Sequence, residues 1–329
     1  MSEQRRALIT GITGQDGSYL AELLLDKGYR VYGLVRRSNM VLFDRIAHIQ
    51  PELHLIVGDL TDEASLLVAM DEAQPDEVYH LAAQSVPQLS LQQPVLTADV
   101  TGTGTVRVLS SMRRVCPDAR YYQASSSEMF GTPVESPQNE SSAFAPRSPY
   151  GLAKVYGHMV TTFHRDHWGM HASSGILFNH ESPRRGIDFV TRKITHGAAQ
   201  CAAGVADKVL LGNLDARRDW GFAGDYVRAM WLMLQHDTPD DYVIATGETH
   251  SVRELCQVAF LAVGLRWQDH VEVQSDLVRP DESVDLVGDA SKARRTLGWE
   301  PTVSFEQLVH MMVEHDVDLL RLGQMGAHR

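Results

Sequence analysis

Thr10-Gly11-Ile12-Thr13-Gly14-Gln15-Asp16-Gly17 stands between two unlike patterns. Before it, Arg6 to Thr10 form a short apolar run of strand character; after it, Leu20, Leu23, Leu24 and Leu25 recur at helical spacing until Gly28 closes the helix. Glycines at 11, 14 and 17 allow a tight turn and a close approach of the backbone to a pyrophosphate. The first N–H groups of the following helix have no partner inside the helix and carry partial positive charge, so they favour an anion. Glycines alone would describe any surface turn. Strand, turn, helix and second strand in that order point instead to a dinucleotide cradle. Thr10, Gly11, Thr13, Gly14, Gln15, Asp16 and Gly17 are therefore expected to contact the cofactor.

Outward from the cradle, Arg30 to Val35, His54 to Val57 and Val78 to Leu81 read as further strands, with helical stretches such as Ser65 to Ala73 between them. Such alternation implies a parallel sheet covered by helices on both faces. Ala119 to Ala124 and His171 to Phe178 continue it, separated by a helix beginning near Tyr150. Beyond Phe178 the texture changes to the turn Pro183 to Gly186, a segment around Val209 to Trp220, and short elements after His250. The expected fold is α/β, a Rossmann-type doubly wound parallel sheet with a smaller α/β substrate-binding lobe. The sheet domain is expected over residues 1–178 with a return near 215–247, and the interleaved lobe over 179–329. Gly323 to Arg329 are expected to fray.

The cofactor can be narrowed. Val35 is followed not by an acid suited to ribose hydroxyls but by Arg36-Arg37-Ser38, which suit a 2′-phosphate, so NADP is expected. Asp59-Leu60 and Leu81-Ala82-Ala83-Gln84, with Ser85 beyond, fall where the adenine and the nicotinamide ribose would lie.

Tyr150 and Lys154 stand at i and i+4, on one face of a helix. At an effective dielectric of about 20 and ~4 Å, an ammonium favours a phenolate by about 4 kcal/mol, roughly three pKa units, which would bring the tyrosine toward neutrality. Tyr150 is thus a candidate base. Ser125-Ser126-Ser127-Glu128 is expected just after a strand, at the sheet edge that presents ligands, and brings a hydroxyl and a carboxylate to the same place. A plain turn and a solvated helix start would explain that run equally if it stood alone.

Composition bounds the alternatives. With 43% hydrophobic and 22% charged residues and no apolar run of membrane-spanning length, the chain reads as a soluble globular protein without membrane contact. The opening residues Met1 to Arg6 carry no signal-peptide pattern, so a cytoplasmic setting is expected. Cys116, Cys201 and Cys256 have neither CxxC spacing nor histidine partners, so no disulfide framework or metal site is expected. A net charge of −12 disfavours nucleic acid and leaves the clustered arginines without an obvious partner.

On Tyr122-Gln123-Ala124-Ser125, Pro146-Arg147-Ser148-Pro149-Tyr150-Gly151 and Gly175 to Gly186, the chain resembles the extended short-chain dehydrogenase/reductases, and among them the GDP-mannose 4,6-dehydratase family. Phe189 to Lys193, Leu211 to Trp220, and Arg279-Pro280 with Glu282 carry the resemblance into the second lobe, over nearly the whole chain. It implies that Tyr150 removes the O4 proton of a GDP-sugar and Lys154 holds the nicotinamide ribose. Glu128 would then take the C5 proton, and Ser126 or Glu128 would help water leave from C6. It also implies that His180 and Arg185 contact NADP. Ser85, Asn179, Val190, Lys193, Gly212, Arg218, Arg279 and Glu282, with Ser126 and Glu128, would face the substrate. A homodimer or homotetramer is implied as well.

Some positions depart from the family pattern. Ser126 replaces a usual threonine, Leu96 a frequent tyrosine, and Val86 to Ser90 is unlike the usual sequence beside the sugar. Asn39 to Leu53 is shorter than the arginine-bearing loop of many relatives, which reaches a neighbouring subunit. Dehydration of another GDP-sugar such as a GDP-heptose, or a GDP-keto-sugar reductase or epimerase, stays open on these residues; the latter two need Tyr150 and Lys154 but not Glu128.

Overall fold

Runs dense in apolar and β-branched residues build the central strands, and all but the edge strand are mostly buried: β1 (Arg6–Thr10), β2 (Arg30–Val35), β3 (His54–Val57), β4 (Glu77–His80), β5 (Arg120–Ser126) and β6 (Ala172–Leu177). The computed structural model describes residues 4–37, 43–277 and 286–327. Between the strands run α1 (Gln15–Asp26), α2 (Glu63–Ala73), α3 (Pro87–Gln92), α4 (Pro94–Thr97), α5 (Gly104–Val115) and α6 (Pro149–Trp168). The chain continues through β7 (Asn179–Glu181), α7 (Val190–Ala202), β8 (Val209–Leu211), β9 (Arg217–Arg218), β10 (Trp220–Phe222) and α8 (Ala223–Gln235). It then returns to the sheet as β11 (Asp241–Ile244), followed by β12 (His250–Ser251), α9 (Val252–Ala262), β13 (Val271–Val273), α10 (Ser291–Leu297) and α11 (Phe305–Ala327).

The seven-stranded sheet is parallel throughout, in the order β11-β6-β5-β4-β1-β2-β3. Strand order reverses at β1, which lies between β2 and β4, and the crevice beyond the strand ends there is where such sheets bind ligands. Leu20, Leu24, Met230, Met233 and Trp299 belong to the core on one face; Leu66, Met70, Leu109 and Met112 belong to the core on the other. A separate core of Ile194, Trp220, Leu255, Phe260, Phe305 and Val309 supports the second lobe. Among the described residues no helix is long and apolar enough to cross a membrane.

Several element limits differ from the sequence expectation, for local reasons. β4 begins at Glu77 rather than Val78, because the buried Glu77 carboxylate accepts hydrogen bonds from Tyr29, Tyr79 and Gln235 and so tolerates a strand position. α2 starts two residues early because Asp62 caps it, accepting from Ala64 N at 3.0 Å. β5 runs on through Ser125 and Ser126, whose partners Ile176 and Leu177 extend the ladder. β6 stops at Leu177, and Asn179 already belongs to the small sheet leading into the second lobe.

Candidate active site

The glycine-rich turn joins the end of β1 to α1 and presses on the turn after β4. A Cβ at Gly11 would lie 2.9 Å from Ala82 N, and one at Gly17 2.3 Å from Gly11 O and 2.6 Å from Ile12 Cα. Gly11 also has φ +77, which a side chain would strain. Backbone therefore forms the floor, as close approach of a pyrophosphate requires. Thr10 Oγ1 lies 2.8 Å from His80 Nδ1 and accepts from Ala82 N at 3.2 Å, fixing the two strand ends together. Among the described residues, the buried Gln84 Oε1 has no hydrogen-bond partner, although Gln84 N donates to Thr101 and Gln84 Nε2 to Val86 O. An orphaned acceptor beside a backbone cradle fits a dinucleotide whose ribose or amide donates there.

The other cofactor candidates gather round this turn. Thr13 O accepts from Arg45, and Gln15 Nε2 donates to His180 O at 3.1 Å and to Asp16 Oδ1 at 3.0 Å. His180 Nε2 meets Asp16 Oδ2 at 2.9 Å, and its ring stacks on Tyr226 at 4.5 Å. Burial pulls the Asp16 carboxyl upward, but the His180 charge and hydrogen bonds from His180 and Gln15 outweigh it and hold the group down at about 2. His180 is raised: burial opposes its charge, and Asp16 more than offsets that. Arg185 Nε lies 3.1 Å from Glu181, and its guanidinium lies 3.5 Å over the Phe189 ring. Exposed Arg36 and Arg37 follow β2, and the Arg36 charge acts on Asp59 at the end of β3. Asp59 itself caps its own turn through Thr61, while Leu60 is buried and its carbonyl accepts from Arg107. Leu81 N donates to Thr10 O; Ala83 follows it half-buried, and Ser85 is exposed. Ser38, Arg279 and Glu282 lie outside the described residues, as does part of the Asn39 to Leu53 segment.

Ser126 ends β5, and Glu128 sits in a 3-10 turn, Ser127–Met129, opened by a bond from Glu128 N to Ser126 Oγ at 3.2 Å. Tyr150 lies at the start of α6, where Ser148 caps Gly151 N at 3.0 Å. The Tyr150 phenol lies near Ser126 and feels the Glu128 charge, and a Cβ on Gly151 would come within 2.7 Å of Glu128 O, so the start of α6 packs against the turn that carries Glu128. Lys154, one turn further along α6, is buried, and its Nζ donates to the Ala124 carbonyl of β5 at 2.6 Å.

One expectation is overturned here. Tyr150 is not brought toward neutrality but pushed up to about 12, chiefly by burial, with the Ser126 bond opposing and the Glu128 charge adding to the rise. Lys154 is pushed down to about 8 by burial, with Asp16 opposing. The helical spacing did place the two side chains together, but the ammonium turns to a carbonyl and lies 5.7 Å from the phenol ring centroid. Desolvation of both groups then dominates over their attraction.

In the second lobe, Asn179 starts β7 and Val190 and Lys193 lie in the first turn of α7. Gly212 follows β8, and Arg218 on β9 bridges to Leu286, the first described residue after 278–285. Sequence reasoning missed the groups that aim these residues. Buried Ser90, in α3, accepts from Tyr150 N at 3.2 Å. Asp219 binds Thr246 and Gly247 beside Arg218. Arg45 and Arg184 join the turn region to Glu22 and Ser18. None of these had a local signal, since every partner is distant along the chain.

A sequence model of the GDP-mannose 4,6 dehydratase family matches residues 8–312. GDP-mannose 4,6 dehydratase 1 of Arabidopsis thaliana is 52% identical over 327 residues, covering 96% of this chain and 90% of that protein. The GDP-mannose 4,6 dehydratase of Homo sapiens is 48% identical over 342 residues, covering 96% and 92%. Among solved structures, the Thermus thermophilus UDP-glucose 4-epimerase complex with NAD superposes with a TM-score of 0.83 at 25% identity, covering 94% of this chain and 98% of that one.

Proposed function

The chain belongs to the GDP-mannose 4,6-dehydratase family, and from that membership we propose that Tyr150, Lys154, Ser126 and Glu128 turn GDP-mannose into GDP-4-keto-6-deoxymannose. It is a nucleotide-sugar 4,6-dehydratase, and its cofactor is NADP. The observation that supports the site assignment is that Ser126 and Glu128, joined at the end of β5 by the bond from Glu128 N to Ser126 Oγ, pack against the start of α6 beside Tyr150, where a Cβ on Gly151 would come within 2.7 Å of Glu128 O. When bound, NADP supplies a hydride acceptor at C4 and a donor at C6, so the sugar undergoes no net oxidation.

Tyr150 takes the O4 proton as C4 becomes a ketone. Lys154 holds the nicotinamide ribose. The ketone acidifies the C5 hydrogen, and Glu128 removes it as a general base. Ser126 and Glu128 then deliver the proton with which the C6 hydroxyl leaves as water. Gly11, Gly14 and Gly17 cradle the pyrophosphate; Arg36, Arg37 and Ser38 hold the 2′-phosphate, and His180 and Arg185 close over the cofactor. Ser85, Asn179, Val190, Lys193, Gly212, Arg218, Arg279 and Glu282 hold the GDP-sugar, with arginine forks on the diphosphate. The assembly is a homodimer or homotetramer, supported by an exposed apolar stripe on α6 of Leu152, Tyr156, Met159 and Phe163. Three free thiols suit a cytoplasmic setting.

Incubation with GDP-mannose is expected to give a product lighter by one water, and turnover in heavy water is expected to leave deuterium at C5. Glu128→Gln should lower that turnover by about 10²-fold or more. Intact GDP-mannose, or a dehydrated product formed at an unchanged rate by the variant, would contradict the assignment.

A further inference from the structure

Tyr150, Lys154 and His158 stand at successive i+4 positions of α6 and form one stripe along the helix. Each meets a different one of the last three residues of β5. The Tyr150 phenol lies near Ser126, Lys154 Nζ donates to the Ala124 carbonyl at 2.6 Å, and His158 Nδ1 lies 3.0 Å from Ser125 Oγ. The first two contacts belong to residues with a part in the chemistry. The third does not, although His158 and Ser125 are only 5% and 3% exposed.

The imidazole is braced from behind. Its Nε2 faces Asp241 Oδ2 at 3.8 Å, and Asp241 on β11 is gripped by both Arg165 nitrogens at 3.0 Å. The Phe144 ring packs edge-on at 5.3 Å. Burial lowers the His158 pKa; Asp241 opposes that and Arg165 reinforces it. In the neutral ring this surrounding favours the tautomer with Nε2–H toward the Asp241 carboxylate and Nδ1 accepting from the Ser125 hydroxyl. Ser125 lies between the two β5 residues that hold Tyr150 and Lys154, so a shift of its backbone moves both supports together.

We propose that His158 is a positioning residue for the dehydration: by anchoring Ser125 it sets the end of β5 against α6 and so aims the Tyr150 phenol and the Lys154 ammonium. This rests on the reading of Tyr150 and Lys154 as the acting pair. Errors of the order of an ångström in such placement are enough to slow a reaction greatly without touching substrate affinity.

The test measures kcat and KM for GDP-mannose, with NADP present, in His158→Leu, His158→Asn, Ser125→Ala and the double variant of His158→Leu with Ser125→Ala. His158→Leu and Ser125→Ala are each expected to lower kcat roughly ten- to a hundred-fold with KM nearly unchanged. The double variant should be no slower than the slower single one, because both remove the same bond. His158→Asn places an acceptor near the former Nδ1 and should recover most of the rate. Wild-type kcat in Ser125→Ala, multiplied losses in the double variant, or no recovery in His158→Asn would overturn the proposal. Should His158→Leu fail to fold, Ser125→Ala and His158→Asn decide alone. Full activity in Tyr150→Phe would instead refute the assignment of the acting pair, an outcome separate from these.

Discussion

Asp16 shows what one side chain can do across 164 residues of sequence. It accepts from His180 Nε2 at 2.9 Å while Gln15 donates to its other oxygen, so the start of α1 is tied to β7 of the second lobe. The two members of the pair titrate in opposite directions. Asp16, lowered from 3.8 to about 2, contributes stability that is present above its unfolded value and lost as pH falls through about 2. His180, raised from 6.5, contributes stability that is full below that value and lost as pH rises through its folded pKa. Asp16→Asn is therefore expected to lower the melting temperature most between roughly pH 4 and 6.5, with the gap to the native protein narrowing on both sides. Melting curves of the two proteins across pH check this; a gap independent of pH would count against the pair.

At the scale of elements, the β1-to-α1 connection has no spare volume at one glycine and some at another. At Gly17 an added methyl meets backbone, Gly11 O at 2.3 Å and Ile12 Cα at 2.6 Å, whereas at Gly14 the nearest atom is Gly11 O at 3.2 Å. Backbone cannot swing aside as a side chain can. Gly17→Ala should cost about 1–3 kcal/mol and weaken NADPH binding, because relief of the clash moves the cradle itself. Gly14→Ala should do less of both. Chemical unfolding and fluorescence titration with NADPH rank the two, and equal effects would show that the turn is not packed as described. α6 is fastened at its start in a comparable way, by Ser148 from its own chain end and Ser90 from α3.

Over the whole molecule, α11 is held to α7 through one buried acid. Asp316 is fully buried and accepts from Arg192 Nη2 at 2.5 Å and Thr195 Oγ1 at 2.8 Å. The other terminal Arg192 nitrogen donates to the carbonyls of Pro183 and Arg185, so the last helix braces the turn that carries Arg185. Asp316→Ala leaves a buried guanidinium without its acid and should cost about 3–5 kcal/mol. Loss of NADP affinity should accompany the fall in melting temperature. A variant that melts as the native protein does would remove Asp316 from this role.

The amino-acid sequence by itself determined the class of fold and marked the candidate chemical residues, because these signals are local. The glycine spacing after a strand, the apolar periods of β1 to α2 and the four-residue interval between Tyr150 and Lys154 need no distant partner to be read. Burial and direction were decided only in three dimensions. Spacing brought the Lys154 and Tyr150 positions together, but it could not tell that both would lose their water or that the ammonium would turn to Ala124, and so the phenol stands near 12 rather than near neutrality. Ser125 with His158, Asp16 with His180 and Arg192 with Asp316 join residues far apart in sequence. Such pairs leave no periodic trace, since nothing in a chain's local pattern records which distant group will replace the water that folding removes.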